Sequence, residues 1–376
     1  MEIKNYKNID PKIKEILSKA LKEGTEITNE EALKLLEVTG KEFLALQDTA
    51  DSICQQKKDN IVTFVINRNI NFTNVCYQGC KFCSFSVKEE EQNSFLLEVE
   101  EIRKKVKEAN KKGCSEVCIQ GGINPKLTYE YYLNILKAVK GVNPKIHIHA
   151  FSPQEIKQIS RLKKDSIKNT LKELKNAGLD SIPGTAAEIL VDRIRKIICP
   201  NKISTEEWKE IVMIAHQLDI PTTSTMMYGH IESLEDRIKH LEVLRETQKK
   251  TNGITEFVPL PYVEKNPILS QHQEYRLNYT SGMDDLKLIS VARIYLKDYI
   301  DNIQCSWVKL GKRLAQVSLN SGANDFSGTL MEENISKSAG AKYGEFLSPE
   351  EIVKIIKNAA KRPAQRDTVY NILKYY

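Results

Sequence analysis

Apolar residues change their spacing near residue 60. Upstream, segments near 10–23, 29–38 and 40–56 repeat apolar positions at three and four, the period of a helix with one buried stripe. Thr28-Asn29-Glu30-Glu31 supplies the hydroxyl and carboxylates that cap a helix start. From residue 61 the pattern becomes short β-branched runs, at 61–66, 116–120, 145–150, 179–182, 221–226, 255–258, 302–306 and 323–326. Amphipathic stretches fill the intervals: Leu96–Lys112, Tyr129–Val139, Ser166–Ala177, Ser204–Leu218, Leu234–Lys250, Asp284–Tyr299 and Gly311–Leu319. Strands alternating with helices of this length imply right-handed βαβ crossovers and a parallel sheet. About eight such units favour a closed (β/α)8 barrel of the TIM type over an open doubly wound sheet, with a six-strand open version as the alternative. The stretch Ser348–Tyr376 predicts a Ser-capped helix, a break at Lys361-Arg362-Pro363 and a short closing helix. The expected division is an N-terminal helical layer over 1–58, a barrel over 59–345 and C-terminal helices over 346–376.

Composition adds little to this α/β picture. Of 376 residues, 41% are apolar and 28% charged, enough to bury a large core and too apolar for a disordered chain. Lys and Arg number 56 against 50 Asp and Glu, and the excess is spread over helices, which reads as solvated surface and not as a nucleic-acid face. The segment MEIKNYKNID has no secretory pattern and no apolar run is long enough to cross a bilayer, so a cytoplasmic protein without membrane contact is expected. In a reducing compartment its eight cysteines are ligands or small buried hydrophobes and not disulfides.

Three of them are clustered. Cys76, Cys80 and Cys83 follow a CxxxCxxC spacing inside Asn69–Cys83, directly after the first candidate strand, where a barrel carries its chemistry. One short loop can wrap a [4Fe-4S] cubane and donate three thiolates, which leaves one iron with open coordination sites. The amino and carboxylate groups of S-adenosylmethionine suit that iron, and reductive cleavage there yields methionine and a 5′-deoxyadenosyl radical. Gly79 gives the loop backbone freedom and Phe82 offers a face for adenine. Zinc would ask for a fourth Cys or His at regular spacing, and Cys114 and Cys118 read instead as parts of a helix-to-strand segment. A cluster that only carries electrons is the third reading.

Other candidate strands end in polar or small residues. Gly121 and Gly122 close the second and would let backbone approach a methionine ammonium. His147 and His149 share one face of the third, and Ser152 and Glu155 follow at its mouth, serving either a ribose or a helix cap. Glu188 lies a turn past the fourth, able to accept from ribose or substrate nitrogen or to stabilise a helix start. The fifth, sixth and seventh contribute Met226-Met227-Tyr228-Gly229-His230, Glu256-Phe257-Val258-Pro259-Leu260-Pro261 and Gln304-Cys305-Ser306-Trp307. These suit an aromatic substrate.

Taken together, Asn69–Cys83, Gln120-Gly121-Gly122, His149–Pro153, Gly178–Leu190, Thr225–His230, Gln304–Gly311 and Asn324–Glu333 resemble the tyrosine-using subunit family of deazaflavin (FO) synthase, radical S-adenosylmethionine enzymes of coenzyme F420 biosynthesis. The resemblance runs from about residue 60 to 345 and implies a barrel, a [4Fe-4S] cluster and S-adenosylmethionine. It implies as substrates L-tyrosine and 5-amino-6-(D-ribitylamino)uracil. In the family's scheme the tyrosine Cα–Cβ bond breaks, an iminoacetate leaves and the 4-hydroxybenzyl group joins C5 of the uracil. An external one-electron reductant is also implied. A single CxxxCxxC loop points to a separate radical cyclase subunit that closes the ring. Carried over by position, Cys76, Cys80 and Cys83 are the expected metal ligands. Phe82, Gly121, Gly122, Ser152 and Glu155 are the candidate cofactor contacts, and His149, Glu188, Tyr228 and His230 the candidate catalytic groups. The radical enzymes of futalosine-dependent menaquinone synthesis have similar cluster loops and are the nearest rivals; a zinc-stabilised interaction module is the rival of another class.

Overall fold

A computed structural model describes residues 8–263, 269, 277–332 and 334–376. The predicted helical layer opens it as α1 (Pro11–Ala20), α2 (Asn29–Glu37) and α3 (Gly40–Lys58). Asp10 caps α1 by accepting from Lys12 N, and Thr28 and Glu31 form a reciprocal capping box on α2. Buried stripes such as Ala32, Leu35 and Leu36 press this layer onto the body of the fold.

The body alternates strands and helices: β1 (Ile61–Val65), β2 (Asn67–Asn71), α4 (Val99–Lys111), β3 (Glu116–Gln120), α5 (Tyr129–Val142), β4 (His147–Ala150), α6 (Pro153–Lys163), α7 (Ile167–Ala177), α8 (Asp192–Ile198), α9 (Thr205–Gln217), β5 (Thr222–Tyr228), α10 (Leu234–Thr251), β6 (Ile254–Pro261), α11 (Gly282–Leu296), β7 (Asn302–Ile303), α12 (Trp307–Ser318) and β8 (Asp325–Gly328). Strands β2, β3 and β4 pair in parallel, as do β5, β6 and β7. Single bridges join these arcs. His149 meets Ser181 and Ile182 meets Thr222, so the candidate strand at 179–182 survives as two bridging residues. Gln304 bridges to Asp325, and β8 pairs with β1, which closes the ring. The first candidate strand is β1; a second strand not expected from the sequence, β2, follows it across Ile66, and the cysteine loop comes after β2.

The C-terminal expectation needs a correction. After α13 (Asn334–Ser338) and the Ser348-capped α14 (Pro349–Asn358), the short closing helix is absent and the chain forms a hairpin, β9 (Arg362–Arg366) and β10 (Ile372–Tyr375). Strand β9 runs parallel to β1, with Ile61 opposite Arg362 and Val65 opposite Arg366. Pro363, read in the sequence as a break, is accommodated in this strand, and its carbonyl accepts from Tyr376 N at 3.1 Å. The hairpin crosses the end of the barrel where the strands begin. Lys361 Nζ, 2.6 Å from Asp51 Oδ1, ties it to α3. None of the described helices is long and apolar enough to span a membrane.

Candidate active site

Strand alternation sends every second side chain inward. Glu116, Cys118 and Gln120 of β3, Thr223, Thr225 and Met227 of β5, and Glu256, Val258 and Leu260 of β6 all line one cavity of about 410 Å³. It runs from the cysteine loop at the carboxyl ends of the strands to Arg366 and Thr368 of the hairpin.

The cysteine loop is fixed mainly through its backbone. Cys76 N donates to Val87 O at 3.1 Å, Tyr77 N to Ile123 O at 3.2 Å and Lys81 N to Ile198 O at 2.8 Å, and Gly79 takes a positive φ of 64°. Cys76, Cys80 and Cys83 are free, half-buried and all line the cavity. Burial raises the thiol pKa of Cys80 and Cys83, and the Lys202 ammonium pulls against it. Metal ligation would replace those protons. Three free thiols on one short loop at the cavity mouth are a donor set that fits a cubane, which takes one thiolate per iron. Cys118 also lines the cavity, but in register with Asn69 and His149, below the strand ends.

Gly121 and Gly122 line the cavity for a different reason from the one expected. A Cβ on Gly121 would stand 2.5 Å from the Phe72 ring, and one on Gly122 would stand 2.2 Å from the Val75 carbonyl oxygen. The space these glycines leave is filled by the strand–loop junction, so they seat the cysteine loop. Ser152 and Glu155 form a capping box on α6, the helix-cap alternative, and both also line the cavity. Glu155 Oε1 accepts from Gly121 N at 3.0 Å, and Oε2 accepts from Ser152 N and Oγ at 2.7 Å each. Burial pushes this carboxyl up to about 7.

His149 faces the lumen, its Nδ1 2.7 Å from Ser181 Oγ, and burial holds its imidazole down to about 4, hence neutral. Glu188 lines the cavity at a positive φ of 47° and pairs with Lys202 Nζ at 2.5 Å. Burial disfavours the Lys202 ammonium, but Glu188 and the thiols outweigh it and the pKa moves up. Lys202 Nζ stands 5.5 Å from the centroid of Phe82, itself a cavity residue. The sequence reading missed Lys202, which lies outside any strand end.

Tyr228 and His230 do not line the cavity, contrary to expectation. Residues 223, 225 and 227 take the inward positions of β5, so Tyr228 points outward. Its hydroxyl donates to Asp285 Oδ1 at 2.9 Å and the Arg237 guanidinium lies 5.2 Å from its ring centroid. His230 is fully buried, Nδ1 accepting from Ile231 N at 2.8 Å and Nε2 3.1 Å from Met227 O.

The floor was also missed. Arg366 Nε reaches Asp325 Oδ2 at 2.5 Å and its Nη2 reaches Asp325 Oδ1 at 3.1 Å and Glu256 Oε2 at 3.4 Å. Tyr370 donates to Glu256, and Thr368 Oγ1 donates to Glu116 Oε2 at 2.7 Å. Burial raises Glu256.

Residues 70–244 match the family model of the radical SAM superfamily, and 251–375 match one described as the CofH/MqnC C-terminal region. A 5-amino-6-(D-ribitylamino)uracil–L-tyrosine 4-hydroxyphenyl transferase of Archaeoglobus fulgidus is 52% identical over 324 residues, 86% of this chain and 92% of that protein. The chain belongs to this transferase family. A second member, from Methanococcoides burtonii, is 48% identical over 348 residues, 92% of this chain and 96% of the other. The crystal structure of methylornithine synthase superposes with a TM-score of 0.73 at 18% identity, over 93% of this chain and 97% of that one, a likeness of fold alone. Membership of the radical SAM superfamily carries with it a [4Fe-4S] cluster and S-adenosylmethionine.

Proposed function

We propose that this chain couples the 4-hydroxybenzyl group of L-tyrosine to C5 of 5-amino-6-(D-ribitylamino)uracil, releasing 2-iminoacetate, methionine and 5′-deoxyadenosine, as a step of deazaflavin synthesis. The observation that carries the reading is the placement of three free thiols at the mouth of one lumen that reaches through the barrel, in a chain about half identical to transferases of that name. Cys76, Cys80 and Cys83 would hold the [4Fe-4S] cluster. Bound there, the cluster and S-adenosylmethionine supply the 5′-deoxyadenosyl radical that begins the reaction.

The chain's own residues bind, orient and exclude water. Glu155 and Ser152 lock the backbone at Gly121, which sets the wall against which the sulfonium cofactor rests. The Lys202–Glu188 pair brings a cation and an anion beside Phe82, suited to a zwitterionic methionine group and a ribose. His149, neutral and buried, is placed to accept a hydrogen bond inside the lumen. An external one-electron reductant and a separate radical cyclase subunit complete the pathway, and the protein acts in the cytoplasm.

Anaerobic turnover of the reconstituted enzyme with tyrosine and the diaminouracil tests this. Deoxyadenosine formation that requires both substrates, with one coupled product, is expected. Formation indifferent to both, with no coupled product, would overturn the assignment and reopen the futalosine rivals.

A further inference from the structure

The floor of the lumen has a chemistry unlike its mouth. Glu116 and Asp325 are the first residues of their strands and Glu256 the third of its own, so all three carboxylates fall in the layer nearest the hairpin. All are buried, at 5%, 0% and 7% exposure. Arg366, at 3%, is the cation that faces them. Three carboxylates against one guanidinium leave the layer net negative or, with Glu256 protonated, still one charge negative. A carboxylate ligand is repelled from such a site, whereas a neutral ligand rich in hydroxyl or amine hydrogens is drawn to it.

Acceptor atoms remain after the internal bonds are made. The bonds to Glu256 from Gln304, Arg366 and Tyr370 all fall on Oε2, which leaves Oε1. Gln304 spends Nε2 on that contact and keeps its Oε1, and His149 spends Nδ1 on Ser181 and keeps Nε2. All three residues line the cavity, and none of these remaining atoms is among the sealed, unpartnered ones. His149 is nine-tenths buried with one ring nitrogen left for the lumen. These acceptors come from three different staves of the barrel, which matches a row of hydroxyls; a tyrosine phenol carries only one.

We infer that the lumen floor binds the ribityl chain of the diaminouracil, with Glu256, Gln304 and His149 accepting its hydroxyls. The inference rests on the proposed transferase reaction, and it orients the substrate: the polyol points down to the hairpin and C5 points up toward tyrosine and the cluster. The tyrosine carboxylate is kept out of the floor by charge. Arg366 acts here as a positioning residue, holding Asp325 and Glu256 in place.

The test measures the anaerobic dissociation constants of 5-amino-6-(D-ribitylamino)uracil and of 5,6-diaminouracil, which lacks the ribityl chain, together with the KM for tyrosine. Glu256→Gln should weaken the ribityl compound about ten-fold or more, as expected for a lost hydrogen bond to a charged group. It should leave 5,6-diaminouracil and the tyrosine KM within about two-fold. Gln304→Leu should show the same selectivity and carries the test should Glu256→Gln lose its fold or its iron. Equal weakening of both uracils, no weakening of either, or a loss confined to the tyrosine KM, would overturn the inference. Wild-type enzyme that cleaves S-adenosylmethionine without forming coupled product would overturn the transferase reading itself, a separate result.

Discussion

Replacing Gly122 by Ala should unseat the cluster loop without unfolding the barrel. The added Cβ would lie 2.2 Å from Val75 O, 2.7 Å from Val75 C and 2.9 Å from Cys76 Cβ. Real Cβ contacts essentially never fall under 3.0 Å, so the two backbones must part by about 0.8 Å, the difference between 3.0 and 2.2. Neither side yields easily. Gly122 N is held by Thr73 O at 2.8 Å and Tyr77 N by Ile123 O at 3.2 Å, on either side of the clash. Overpacking of this kind costs about 1–3 kcal/mol, well below the roughly 5–15 kcal/mol that holds a domain folded. The thiolate positions have far less tolerance, because metal–ligand distances are fixed to about 0.2 Å. The expected result is a melting temperature lowered by a few degrees and an iron and sulfide content, after anaerobic reconstitution, less than about half that of the parent.

Gly79→Ala is the control. Gly79 sits at φ +64° inside the same loop, but its nearest neighbour to a new Cβ is Asn201 Nδ2 at 3.7 Å. That variant bears backbone strain of about 1–2 kcal/mol and no clash. It should therefore keep more iron than Gly122→Ala at a similar loss of stability. Full iron content in Gly122→Ala, or a deeper loss in Gly79→Ala, would refute the claim that close packing at strand β3 seats the ligands.

Three further outcomes are expected. Tyr228→Phe should lower stability by about 1–3 kcal/mol, because buried Asp285 loses one of its donors, while kcat stays within about two-fold; a large fall in kcat at unchanged stability would put Tyr228 in the chemistry after all. His216 is held between the Thr251 and Thr222 hydroxyls, and burial takes its imidazole down to about 4. Its folded pKa lies below the unfolded value near 6.5, so its contribution is present above that pH and is lost as pH falls from 6.5 through 4, about 3 kcal/mol in all. Denaturant titrations across that range should show the decline, and His216→Gln should flatten it. Arg366→Met should cost about 3–5 kcal/mol by leaving Asp325 and Glu256 facing one another without their cation, read by the same titration; near-neutral stability would show that the floor does not depend on the guanidinium.

The barrel was legible because its strands are short, β-branched and separated by helices whose apolar period is unmistakable. Runs such as Thr222–Met226 and Glu116–Gln120 announce themselves locally. The misreadings are places where a local signal was outvoted by a distant partner. Asn67-Arg68-Asn69-Ile70-Asn71 is too polar to read as strand, yet it pairs with β3 along its whole length, with Asn67 and Asn69 facing the lumen. Arg362–Arg366 contains a proline and two arginines, and becomes strand because β1 offers it an edge some 300 residues away in sequence.

The site divides along the same line. The three cysteines, Ser152, Glu155 and the glycine pair lie in short motifs at strand ends, so spacing alone reveals them. Glu116 and Arg366 lie in no motif, and Asp325 lies in one that says nothing of its role. Each reads as an ordinary surface charge until the fold is known: Arg366 bonds Asp325 and Glu256, and Thr368 of the same hairpin bonds Glu116, which gathers them at the floor of one lumen. A carboxylate at the start of an inward-facing series is nevertheless a readable oddity, because burying it without a partner would cost several kcal/mol. Two such carboxylates, Glu116 and Glu256, open the inward series of β3 and β6, and together they require a cation from elsewhere. Only a segment crossing the barrel's end can deliver one, and that requirement is a physical reason for the chain to return as a hairpin after its last helix.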